Sequence, residues 1–241
     1  MLRQLQLWDV ESSEHGWSVR QSARARRLSV RVFRSGGVEI VVPPRTPPRR
    51  VDEFVREHRE WIERQRRRAA PAADWPLPPA VLSLTAIDEA WRCSAVASGA
   101  RLGLHELAGG ELQFRGRLDD RARLRRLLVG WLVERARQRL EEPLRALGAQ
   151  MGVAPGRLQV RCQRSRWGSC SRRHTISLNV CLLFQPPEVL RYLMVHELSH
   201  LRHMNHSARF WAEVARHEPD CKALDRELLQ GWRRVPSWIF R

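Results

Sequence analysis

Four histidines and one glutamate fall within the run LMVHELSHLRHMNHSARFW, residues 193–211. On a helix, residues four apart stand one turn above the other, so His196 and His200 can turn their imidazoles toward a single cation. Glu197 lies beside them. Two neutral imidazoles suit a divalent ion such as Zn2+, and an adjoining carboxylate handles the proton of a bound water; this is the chemistry of the HExxH pattern. His206 follows His200 by six residues, the offset of the third ligand in the longer form HExxHxxGxxH. It is the favoured third ligand. His203 stands where that form has glycine and is an alternative, as is Glu213, a carboxylate further along the chain. With His203 at the glycine position, the sharp turn is expected at Asn205, which tolerates the left-handed conformation. Three protein ligands leave one position open, as catalytic zinc sites do and structural ones do not.

The elements that must position these residues can be read from periodicity. Val189, Leu190, Leu193, Met194, Leu198 and Leu201 recur at helical spacing after Pro186 and Pro187, which predicts a helix carrying the motif. Two strand-like runs precede it, RLQVRCQ at 157–163 and TISLNVCLLF at 175–184, joined by RSRWGSCSRRH. Upstream, Leu124, Leu127, Leu128, Trp131, Leu132, Leu140 and Leu144 form an apolar stripe. They predict a helix from Asp119 to about Leu147, which Pro143 is expected to kink or divide. Residues 69–80, AAPAADWPLPPA, have linker composition, and short strands with glycine turns follow to about residue 115. Near the start, LSVRVF and VEIVV flank Ser35-Gly36-Gly37 and predict a β-hairpin, followed by a helix from Val51 to Arg68. The expected organisation is a hairpin-plus-helix region at 1–68, a linker with short strands at 69–115, and a core at 116–241.

Composition narrows the function classes. The chain has 241 residues and 43% apolar content, enough to bury a core. Its first residues carry acids where a signal peptide needs an apolar stretch, and no segment approaches membrane-spanning length, so a cytoplasmic location without membrane association is expected. Five cysteines without CxxC spacing suggest reduced thiols. The formal charge of +17 invites a nucleic-acid partner, but the basic residues are scattered and nearly all arginine, with Lys222 the only lysine.

RWGSCS at 166–171 and ISLNVCLLFQPPEVLRYLMVHELSHLRHMNHSARFW at 176–211 resemble the YgjP-like metallopeptidase family, relatives of the SprT-like and WLM zincins. RRLSVRVFRSGGVEIVVPP and VREHREWI extend the similarity toward the N-terminus; the segment from about Ala69 to Arg115 matches poorly. The resemblance implies an α+β fold with a zincin-like core: a small antiparallel sheet from the two strands before the motif, with the motif helix and the 119–147 helix packed behind it. It implies zinc held by His196, His200 and His206, and Glu197 as general base for peptide hydrolysis through a metal-bound water. The strand TISLNVCLLF is then expected at a sheet edge, pairing with an extended peptide. Asn179 is a candidate substrate contact or a turn residue, and Arg166, with Trp167 and Ser169, a candidate for ordering the loop beside the site. Cys170 is a candidate ligand or a buried thiol. Besides a peptide or protein substrate, two other readings stay open: a metal-dependent nucleotide or phosphoester hydrolase, whose arginines would hold phosphates, and a nucleic-acid-associated zinc protein.

Overall fold

The structure, a computed structural model, describes residues 17–33, 37–68 and 76–240. It is α+β and divides into two compact units, Met1–Ala72 and Ala73–Arg241.

In the first unit, β1 (Trp17–Gln21), β2 (Ser29–Val32) and β3 (Val38–Val42) form a sheet in the order β1-β3-β2. The expected hairpin is the antiparallel pair β2 and β3, with Ser29 opposite Val41 and Val32 opposite Val38. Ser35 and Gly36 of its turn lie outside the described residues, as do residues 69–75 of the expected linker. Sequence reading missed β1, which runs parallel to β3. Helix α1 (Pro48–Arg68) begins three residues earlier than expected, with Pro48 at its start where a missing N–H costs nothing. Ile40, Val42 and Val51 are the centre of this unit's apolar cluster.

The second unit holds both the short strands and the motif. Strands β4 (Val81–Leu84), β5 (Glu89–Ala97), β6 (Gly103–Leu107) and β7 (Glu111–Gly116) form a sheet in the order β4-β5-β7-β6. Leu82, Leu84, Trp91, Leu112 and Phe114 of this sheet are buried in the same cluster as helix α2 (Arg121–Gln150). The strands at 81–116 are therefore not a separate linker region: their apolar faces are buried with those of residues 116–241. Glu89 reinforces the union, accepting hydrogen bonds from Arg135 at 2.8 Å and from the Trp91 indole at 3.0 Å.

Helix α2 runs as one element through Pro143. Its buried stripe recurs every fourth residue, Leu124, Leu128, Leu132, Ala136, Leu140 and Leu144, so packing on both sides of Pro143 outweighs the hydrogen bond that proline cannot make. Asp120 caps its start, accepting from Arg123 N at 2.8 Å. Gly152, at φ +67°, turns the chain away after its end.

The sheet before the motif is mixed. β8 (Arg157–Arg161) and β10 (Thr175–Asn179) are the two expected strands; β10 is shorter than expected because residues 180–184 wind into a buried 3-10 turn. They run parallel to each other, with Arg157 opposite Thr175 and Asn179 opposite Arg161, whereas an antiparallel pair was expected. The antiparallel partner of β10 is β9 (Gly168–Cys170), from the segment read as a connection. The order is β8-β10-β9, so β10 is central and cannot be the expected edge strand. Parallel neighbours need a crossover, and here the crossover spends three of its residues on a strand of its own. Among the described residues, no helix is long and apolar enough to cross a membrane.

Candidate metal centre

Helix α3 (Pro187–Ser199) carries the first half of the motif. Val189, Leu190, Tyr192, Leu193, Met194, Val195 and Leu198 are all buried, so the helix is enclosed on most of its circumference. The helix ends at Ser199, and His200 is its C-cap. Its Nδ1 lies 3.0 Å from the carbonyl oxygen of His203. A hydrogen bond there puts the proton on Nδ1 and leaves the Nε2 lone pair free to bind a cation. His203 thus contributes its backbone, while its imidazole stands outside the histidine cluster.

The chain reverses after His200 and enters helix α4 (Ala208–His217), whose N-cap Ser207 accepts from Phe210 N. Among the described residues, Asn205 is not one of those with positive φ, so the reversal proceeds without the expected left-handed residue. Arg202 holds it instead. Its guanidinium donates to Met151 O at 2.6 Å and Gly152 O at 3.3 Å beyond the end of α2, and it pairs with Glu213 on α4. Glu213 also lies 3.4 Å from His217, so this alternative ligand is engaged in the scaffold.

The result is a cluster of His196, half-buried, His200, buried, and His206, exposed, with one ring nitrogen from each lying within 4.8 Å of the others. Nε2 of His196 and Nε2 of His206 are 3.2 Å apart. Zinc–nitrogen bonds of about 2.0–2.1 Å in a tetrahedral arrangement separate two ligand nitrogens by about 3.3 Å. The donors therefore fit a small divalent ion. Burial, followed by the neighbouring charges of His200 and His206, holds the pKa of His196 down at about 4. Burial also lowers that of His200. Both rings are neutral near pH 7, the form that binds metals.

Aromatic side chains wall the cluster. Phe210, fully buried, stacks on His200 with centroids 4.5 Å apart and meets His196 and His206 edge-on at 4.9 and 4.8 Å. The Tyr192 hydroxyl donates to Asp225 at 2.9 Å, on helix α5 (Cys221–Gln230), and its ring lies 6.1 Å from that of His196. Sequence reading did not assign these residues. The available signal was Phe210, an apolar residue one turn into a new helix that starts immediately after His206.

Glu197 is 4% exposed, and its Oε2 is buried without a hydrogen-bond partner. Burial pushes its pKa up to about 8, against the opposing charge of Arg166. A cation among the histidines would draw that value down. The carboxylate rests on the backbone of β9: a β-carbon at Gly168 would lie 2.5 Å from Glu197 Oε1 and 2.9 Å from its Cδ. Gly168 is therefore required for the space it leaves; it lies in a strand, not at a bend.

The remaining candidates separate by burial. Asn179 is fully buried and its amide is used within the protein: Nδ2 donates to Gln163 O and Arg166 O, each at 2.7 Å, and Oδ1 accepts from Cys181 N at 3.1 Å. It fixes the path of the chain into β9. Arg166 is exposed and touches the site only through its charge on Glu197. Trp167 is buried and stacks on Trp232 at 4.1 Å. The Cys170 thiol, pushed up to about 11 by burial and by the charge of Glu197, stands outside the histidine cluster.

Residues 26–230 match the family described as YgjP-like, metallopeptidase domain. No curated protein matches the chain. The crystal structure of the metallopeptidase zymogen of Pyrococcus abyssi abylysin is similar to a part of it, with 26% identity over 37% of this chain and 90% of that one and a TM-score of 0.35. With the family match running from residue 26 to residue 230 and the three histidines gathered inside it, the chain belongs to the YgjP-like metallopeptidase family.

Proposed function

We propose that the protein is a zinc-dependent peptidase in which His196, His200 and His206 hold the ion and Glu197 is the general base. The observation that carries this reading is the convergence of His196 and His206, Nε2 to Nε2 at 3.2 Å, one residue along the helix from a buried carboxylate whose Oε2 has no partner. An unpaired buried acceptor costs about 1–3 kcal/mol or more, and a water awaiting deprotonation supplies the missing donor. When bound, zinc supplies Lewis acidity toward that water and toward the carbonyl oxygen of the substrate.

Glu197 takes a proton from the attacking water and delivers it to the leaving amine. Burial raises the pKa of Glu197 and a bound cation lowers it, so the carboxylate is ionised when it takes the proton. The peptide binds as an added strand on the side of β9 away from β10. Asn179 N donates to Trp167 O and Ser171 N to Thr175 O, so residues 167, 169 and 171 face β10. The backbone groups of Gly168 and Cys170 accordingly face away from it and can pair with an extended chain. A peptide there lies next to the Glu197 carboxylate, which Gly168 touches.

The test is Glu197→Gln assayed with the wild type on a panel of peptides, with zinc per chain measured in both. The variant should keep its zinc and lose peptide hydrolysis by about 10²- to 10⁴-fold. Full hydrolysis by the variant would remove Glu197 from the mechanism. Hydrolysis of nucleotides but no peptide by the wild type would replace the substrate class.

A further inference from the structure

Phe210 and Trp211 are consecutive on α4 but have opposite environments. Phe210 is fully buried against His200, whereas Trp211 is 38% exposed. Other large apolar side chains exposed on this unit, Val81, Val96, Leu107 and Leu229, are aliphatic residues in other elements. The Trp211 ring lies 5.8 Å from that of His196 and 6.0 Å from that of His206, beside two of the three imidazoles. Met204, two residues before His206, is 50% exposed.

The core does not demand an indole at 211. Phe210 and Val214, four apart, supply the buried stripe of α4, and Trp211 stands about 100° around the helix from Phe210. Its position is nevertheless well defined. Ser207 caps the helix, Glu213 on the same helix is tied to Arg202, and the ring meets Phe210 at 5.2 Å with an interplanar angle of 83°. An apolar surface is thus presented to solvent at the rim of the metal centre on a fixed support.

We infer that Trp211 determines specificity: its indole is the wall against which a large apolar or aromatic side chain of the substrate packs, next to the bond that is cut. Covering the ring removes apolar surface from water on both partners, and an aromatic guest adds edge or offset-stacked contacts. A methyl side chain covers little of it. This rests on the peptidase reading above for its substrate, but not for its measurement.

Two dipeptide hydroxamates, identical except for a benzyl or a methyl side chain next to the hydroxamate, are titrated calorimetrically into the zinc-loaded full chain. The wild type should bind the benzyl compound at least about tenfold more tightly. Trp211→Ala should lose most of that ratio, with the methyl compound weakened less than about threefold, and Trp211→Phe should restore it. Equal binding of the two compounds by the wild type would overturn the inference, as would an unchanged ratio in Trp211→Ala. Parallel weakening of both compounds together with loss of zinc in Trp211→Ala would also overturn it, because the ring would then only shield the metal. Hydroxamate binding needs the ion and not turnover. A benzyl preference that vanishes with Trp211 in a protein that cuts no peptide would count against the peptidase reading alone. Peptide cleavage without the preference would count against Trp211 alone.

Discussion

The Nε2 atoms of His196 and His206 face each other at 3.2 Å although the residues are ten apart in the chain, His196 on α3 and His206 in the loop before α4. His203 lies between them in sequence and offers the site only its carbonyl, which holds His200 Nδ1. The two histidines should therefore respond differently to truncation. His206→Ala should weaken zinc binding by at least about a hundredfold, more than the loss of an outer partner does, while His203→Ala keeps the carbonyl and should bind one zinc per chain. Metal analysis after dialysis against a weak chelator checks both; an empty His203→Ala beside a loaded His206→Ala would reverse the assignment.

Gly168 and Glu197 form the second close relationship, a backbone and a carboxylate with no room for a methyl group between them. Gly168→Ala must displace either β9 or the carboxylate by roughly 1 Å, and misplacement on that scale costs on the order of 10²-fold in rate. The three histidines are untouched. We expect kcat to fall by that order with zinc content unchanged, measured on the same preparation.

Glu89 allows a prediction about stability that is separate from the site. Its side chain is 12% exposed and paired with Arg135 and Arg139. Desolvation is the largest influence and raises its pKa, but hydrogen bonds from Arg135 and Trp91 and the charges of Arg135 and Arg139 together bring it below the usual carboxylate value. A folded-state pKa below the unfolded one means stability that is present above about pH 4.3 and lost as pH falls through the lower, folded value. Glu89→Gln should cost about 1–3 kcal/mol at pH 7, and the difference from wild type should shrink at pH 3. Urea unfolding at the two pH values measures it; an equal difference at both would show that the charge is immaterial.

Much of the scaffold was legible because local periodicity reports it. The every-fourth-residue stripe from Leu124 to Leu144 announced α2, and the apolar spacing after Pro187 announced α3. Pro143 was expected to kink or divide α2 and does not divide it, since burial on either side overrides a local preference. The three residues of β9 carry no periodic signal, and their pairing with β10 depends on a crossover that sequence spacing does not encode. Residues 81–116 read as separate for a related reason: their strands are short, and their membership in the core is visible only in Leu112 and Phe114 sharing a cluster with α2.

By itself the sequence determined that His196 and His200 share a helix face with Glu197 beside them, because a spacing of four residues fixes that relation within a single turn. The tertiary structure alone decided what completes the site. Gly168 reaches Glu197 from a different element, Phe210 stacks on His200 from the next helix, and Arg202 ties the reversal that brings His206 back to His196. These contacts join residues across loops whose path depends on the whole packed core, and no local rule of spacing specifies such a path.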